Sequence, residues 1–279
     1  MRRPMTEDEK KRFRGYFPRL DVDRAVVTDN VTSRYNCISW TVGVTTRWLW
    51  PGSSIGDFDN FYQKYGYIRS SNGPIAAWGH TKSSMTHGCV SGPGHGPRWE
   101  SKCGSDLRIQ HGLNELVGAS YGRVVAFYAK AKFVMDMALM EMIQKINEIE
   151  GPQIMVLEEE QQEILRDALN KVSKDIRGAF ETLFAEWKKT WSAEEFWHVS
   201  NPAFVRYTEP YKQLAAMGDE IVPLVVDKLT DSDNFFALQL YDALQPDEKL
   251  VIQPDTEGDE ILEGEQGRAK RTVIAWLGQ

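Results

Sequence analysis

The chain has 279 residues and a mass of 31.9 kDa, close to twice the ~150 residues of an average domain, so two domains are expected. Hydrophobic residues make up 42% and charged residues 26%, which excludes a disordered or collagen-like chain. A net charge of −7 argues against nucleic acid, and the absence of a long apolar run argues against a membrane span.

Met1 to Arg14 is charged and has no apolar secretion core. Cysteine occurs three times, an odd count, so reduced thiols in a cytoplasmic protein are expected. The next stretch holds Trp40, Trp48, Trp50, Trp78 and Trp99, with Cys37, Cys89, Cys103, His80, His87, His95 and His111 in or beside it. Glycine clusters between Gly88 and Pro97. This texture predicts a compact α+β domain over about 15–130, with functional loops.

Within it, polar turn residues up to Asn36 lead into the periodic Ile38, Trp40 and Val42, so a helix is predicted to start near Asn36. Cys37 then lies in the first turn, where unpaired N–H groups favour a thiolate and lower its pKa. With the Asn36 amide, those groups would bind a developing oxyanion. Further on, Met85 to Val90, preceded by the apolar Pro74 to Trp78 and followed by a glycine-rich turn and Arg98 to Lys102, reads as a strand-turn-strand hairpin with His87 on one arm. Cys37 is the candidate nucleophile and His87 the candidate base. Glu100, Ser101 on the opposite face, and Asp106 are the candidates to orient His87.

Trp48 and Trp50 are expected either to line a substrate groove or to pack on this hairpin. Arg98, Lys102 and Arg108 form a modest basic cluster beside it. His80, His87, Cys89, His95 and Cys103 lack the spacings of a structural zinc site, so no metal and no other cofactor is expected. His111 reads as a capping or core histidine at a helix start, and His198 as structural.

From residue 131 to 279 the pattern predicts an all-α domain. Long helices are expected over 132–149, ended by Gly151-Pro152, and over 158–191. Three short helices follow at Pro210 to Met217, Ile221 to Leu229 and Asn234 to Leu244, separated by Gly218-Asp219 and Asp231 to Asn234. An acidic loop from Gln253 and a terminal amphipathic helix from Gly267 to Leu277 complete the chain.

The segments YNCISW, WLWPG, FDNFYQKYGY, MTHGC, RWESKCG, IQHGL and YGRVVAFY resemble an uncharacterised family of bacterial and fungal proteins. Its layout is similar to that of papain-like cysteine hydrolases, a helix packed on a small antiparallel sheet, and the resemblance covers roughly Arg34 to Tyr128. It implies Cys37 as nucleophile and His87 as base, with Trp99, Ser101, Lys102 and His111 as family positions without an assigned role. Trp48, Trp50, Trp99, Ser101 and Lys102 are the resulting substrate-binding candidates. The long turn Gly92 to Pro97 departs from the plain hairpin turn of that pattern. Residues 203–279 resemble HEAT-type helix pairs, which implies helix packing and a protein partner rather than chemistry. The expected activity is thiol-dependent cleavage or deamidation of a peptide or protein substrate. The alternative is a non-enzymatic interaction protein whose Cys and His positions have become core.

Overall fold

A computed structural model describes residues 2–92, 96–131, 141, 144, 154–253 and 262–278. The chain divides into an antiparallel sheet unit and a helical unit, an α+β organisation. The sheet unit comprises Met1–Glu150, Trp197–Asn201 and Asp255–Leu262. The helical unit comprises Gly151–Phe196, Pro202–Pro254 and Glu263–Gln279.

In the sheet unit, helix α1 (Glu7–Tyr16) starts at a capping box in which Thr6 and Glu9 satisfy each other's backbone N–H. Phe13 and Phe17, one helical turn apart, bury themselves in the sheet core. The unit therefore begins well before the expected boundary at residue 15. The strands are β1 (Arg3–Pro4), β2 (Val26–Asp29), β3 (Tyr67–Ser70), β4 (Ile75–Thr81), β5 (Ser84–Gly92), β6 (Gly96–Lys102), β7 (Arg108–His111) and β8 (Arg123–Lys130). They form one eight-stranded antiparallel sheet, larger than the small sheet expected, in the order β1-β2-β7-β6-β5-β4-β8-β3. Helices α2 (Cys37–Thr41) and α3 (Ile55–Lys64) complete the set.

Strand alternation gives the sheet two faces. Trp78, Cys89, Cys103 and Ile109 pack with Phe13, Phe17 and Tyr121 in one buried cluster. At Gly88, between His87 and Cys89, a β-carbon would stand 3.0 Å from the Tyr62 hydroxyl and 3.2 Å from Ile38 Cδ1. Glycine there lets α2 lie directly on β5. Strands β5 and β6 pair from Gly92/Gly96 to Val90/Glu100. Beyond that point a side-chain bridge from His87 to Ser101 joins them.

The helical unit contains α4 (Glu159–Lys171), α5 (Lys174–Trp191), α6 (Glu209–Ala216), α7 (Val222–Leu229), α8 (Leu238–Leu244) and α9 (Gly264–Leu277). The single helix expected over 158–191 is two helices. Val172 is extended, and the Ser173 hydroxyl accepts the Ile176 N–H at 3.2 Å, starting α5 with a new cap. Phe180, Phe184, Trp187 and Trp191 form one buried stripe on α5. The three short helices lie close to where the sequence places them, with Gly218 at φ +82° between the first two. The helix expected over 132–149 lies outside the described residues except at 141 and 144. No described helix is long and apolar enough to cross a membrane.

Candidate functional site

Asn36 caps α2. Its Oδ1 accepts the Ser39 N–H at 3.0 Å and the Ser39 hydroxyl at 2.8 Å. Its Nδ2 donates to the Leu49 carbonyl at 2.8 Å and faces the Ser200 carbonyl at 3.5 Å. Cys37 follows as the first residue of the helix. The backbone N–H groups of Ile38 and Gly88 and the Ser200 hydroxyl lie near its sulfur. The thiol is fully buried, and burial pushes its pKa up to about 11 despite those neighbours and the nearby Lys102 charge. The lowered thiol pKa expected from the sequence is therefore corrected. A five-residue helix carries little dipole, and desolvation outweighs it.

His87 sits on β5, next to Gly88, whose backbone N–H lies near the Cys37 sulfur. Its ring stacks on Tyr121 at 3.8 Å between centroids and meets the edge of Trp78. Its hydrogen bonding can be worked out from the far end of a chain of groups. His111 Nδ1 lies 2.8 Å from the Gly112 carbonyl, which can only accept, so Nδ1 carries the proton and Nε2 is bare. Burial holds the His111 pKa down to about 4, so the ring is neutral at pH 7. Ser101 therefore donates its hydroxyl proton to His111 Nε2 at 2.8 Å. The Ser101 oxygen is then left to accept from His87 Nε2–H at 2.9 Å. This places the lone pair of His87 on Nδ1, an atom that is buried and has no hydrogen-bond partner.

Among the described residues, no hydrogen bond joins Cys37 to His87. Both side chains are sealed from solvent, as are Ser101 and His111. Burial also lowers the pKa of His87 well below the ordinary imidazole value and that of His198 to about 4. Because these folded pKa values lie below the unfolded value, the unfolded chain binds more protons between about pH 6.5 and 4. Stability is thus fully present above that window and is lost as the pH falls through it. With its pKa moved from 6.5 to about 4, His111 alone accounts for about 3 kcal/mol. Urea midpoints should fall steeply from pH 6.5 to 4.5; a level midpoint across that acid range would contradict the neutral relay.

Several other candidates have structural partners. Glu100 lies on the sheet face opposite Ser101, where it accepts from Thr28 and pairs with Arg108 at 2.9 Å. It does not orient His87. Asp106 instead binds Arg12 through two bonds of 2.9 and 3.0 Å. Lys102 is fully buried and gives its ammonium protons to the carbonyls of Thr32, Gly104 and Asp106 at 3.0, 2.6 and 2.6 Å. Burial draws its pKa down to about 7. The expected substrate-binding role is not what holds it here; it ties down the loop after β6. Arg98 binds the Arg24 carbonyl and Glu115, and Arg108 lies 3.8 Å over the Trp40 ring, so the basic cluster is internally paired.

Neither Trp48 nor Trp50 lines an open groove. Trp48 is buried and donates Nε1–H to the Ser200 carbonyl at 2.9 Å, and Trp50 packs edge-on against Phe58. Trp99 is half-buried against Phe127. Among the described residues no group of three or more His, Cys, Asp or Glu side chains is placed to hold a metal, and His95 lies outside them.

His111, expected as a capping or core histidine, is fully buried at the end of β7, where the Ile109-x-His111 alternation sets it beside Trp99, and Gly112 after it caps the short 3-10 helix Leu113–Leu116. Tyr121 and Ser200 left no local signal, since both reach the site from distant segments. Neither the curated proteins nor the solved structures contain a match to this chain. Residues 26–129, which include Cys37, His87, Ser101 and His111, match a family described as a domain of unknown function, DUF7689.

Proposed function

We propose that the sheet unit is a thiol-dependent acyl-transfer enzyme that cleaves or deamidates an amide bond of a peptide or protein, held closed in this structure. The observation that carries this reading is the bare, unpartnered Nδ1 of His87, with the opposite nitrogen fixed by Ser101 and His111. A buried polar atom without a partner is costly unless it has a use, and an imidazole with one nitrogen anchored and the other free is an oriented general base. The order of Cys37, His87 and a polar residue on the next strand, similar to papain-like hydrolases, supports the same assignment.

In the reaction, the Cys37 proton passes to His87 Nδ1 as the sulfur attacks the substrate carbonyl carbon. The C–N bond then breaks, and the same proton leaves with the amine or ammonia. Water, deprotonated by Nδ1, cleaves the thioester and restores the thiol. Ser101 and His111 act as positioning residues by keeping the lone pair on Nδ1. Electrophile trapping tests the assignment. A peptidyl vinyl sulfone should modify Cys37 in the wild type and not in His87→Ala at neutral pH. Modification at Cys89 or Cys103, or equal trapping in both proteins, would contradict it. Ser101→Ala frees the His87 tautomer and is expected to slow trapping roughly tenfold and to change its pH profile, at an unchanged site of modification.

Sealing of the thiol and its pKa of about 11 favour a second reading, a non-enzymatic interaction protein. There the relay is a satisfied core network, and α6 to α9 dock a protein partner. It differs in one outcome: no electrophile selects Cys37 over the other two thiols.

A further inference from the structure

The segment Trp197–Asn201 is grouped with the sheet unit, and its backbone is bonded there at three carbonyls. The Trp197 carbonyl accepts the Ser105 and Asp106 N–H groups at 2.7 and 3.1 Å. The His198 carbonyl accepts the Tyr121 hydroxyl at 2.7 Å. The Ser200 carbonyl accepts Trp48 Nε1–H at 2.9 Å and is faced by Asn36 Nδ2 at 3.5 Å. Gly104, at φ +53°, makes room for this backbone: a β-carbon there would lie 2.3 Å from the Trp197 oxygen and 2.6 Å from the Val199 oxygen. At the same place the Ser200 hydroxyl lies beside the Cys37 sulfur and has no hydrogen-bond partner among the described residues.

Two side-chain N–H groups converging on a peptide carbonyl beside a thiol are the arrangement that an acyl-transfer site offers its substrate. Ser200 itself is 1% exposed, whereas Trp197, His198 and Val199 are only partly buried. The segment beside Cys37 is therefore partly open to solvent along Trp197, His198 and Val199. Resting on the reading of Cys37 as nucleophile, we propose that Trp197–Asn201 is an internal peptide ligand occupying the thiol site. Asn36 Nδ2 and Trp48 Nε1 form the carbonyl-binding pair, and a substrate peptide takes the place of the strap. Closure is then a property of the strap, and Asn36 and Trp48 are positioning residues for the scissile carbonyl.

The three cysteines provide an internal control, because all are free and fully buried. Under native conditions the full chain is treated with iodoacetamide, and each thiol's modification rate is followed by peptide mass spectrometry. Local opening of the strap should modify Cys37 at least about tenfold faster than Cys89 and Cys103, which need the sheet core to open. Tyr121→Phe, which keeps the ring on His87 but removes the bond to the His198 carbonyl, should raise the Cys37 rate about fivefold over the other two. A common rate for all three thiols in the wild type overturns the proposal whatever the variant does. A faster Cys37 whose advantage is unchanged in Tyr121→Phe also overturns it, since the cover would then lie elsewhere. The functional reading fails separately: a strap that opens as expected over a thiol whose pH profile is unchanged by His87→Ala leaves the strap intact and removes the base.

Discussion

Replacing Asp106 with alanine is expected to lower the unfolding free energy by about 3–5 kcal/mol. The Asp106 carboxylate is fully buried, and it holds Arg12 of α1 by two parallel bonds of 2.9 and 3.0 Å while accepting the Leu107 N–H at 2.7 Å. Losing it removes a buried carboxylate that holds a mostly buried guanidinium, and breaking a buried pair from one side is costly. Asp106→Asn retains an acceptor for Leu107 and should lose roughly half as much. Urea denaturation at pH 7 measures both; a loss under 1 kcal/mol in the alanine variant would show that the pair behaves like a solvent-exposed one. The consequence reaches the site, because Asp106 also donates its backbone N–H to the Trp197 carbonyl and accepts the Lys102 ammonium at its own carbonyl.

The second large effect is chemical. Once a substrate is turned over, His87→Ala is expected to reduce kcat by roughly 10²–10⁴, the usual contribution of a general base. The thiol shows why the loss is large. With a pKa of about 11, Cys37 is almost wholly protonated at neutral pH, so proton removal has to occur during attack. A free thiolate is not available to substitute for the base. Cys37→Ala should abolish turnover outright. Stability separates the causes: if His87→Ala loses activity only in proportion to unfolded protein, the imidazole is a packing residue against Tyr121.

Local chemistry explains which parts of this site were legible. Asn36 as a helix cap and Cys37 just after it follow from the polar-to-periodic change at that point, and His87 follows from a strand pattern. Glu100 and Ser101 are adjacent, and strand alternation sends them to opposite faces. Sequence alone offered both, and only the packing of α1 against one face decides for Ser101. Asp106 was a reasonable orienting carboxylate until α1 is placed, since the capping box and the Phe13, Phe17 pair that put Arg12 within reach lie in a segment that reads as merely charged. His111 stands where β7 ends and Gly112 caps the short 3-10 helix Leu113–Leu116, so the helix start legible at Gly112 is present and the strand before it is what the sequence left open. The groove expected at Trp48 and Trp50 fails for a tertiary reason: the Ser200 carbonyl, brought back from far along the chain, accepts the indole N–H. The break inside 158–191 was visible as Ser173, but a heptad-like apolar stripe running across it outweighed one capping residue.

Catalysis by Cys37 requires the ring proton of His87 to reside on Nε2. Long-range ¹H–¹⁵N NMR of the histidine rings, recorded from pH 6 to 8, reports this directly. The relay through Ser101 and His111 requires His87 to be neutral, protonated at Nε2 and bare at Nδ1 across that range, with Ser101→Ala mixing the two tautomers. A proton found on Nδ1 would leave no lone pair for the Cys37 thiol and would contradict the catalytic reading.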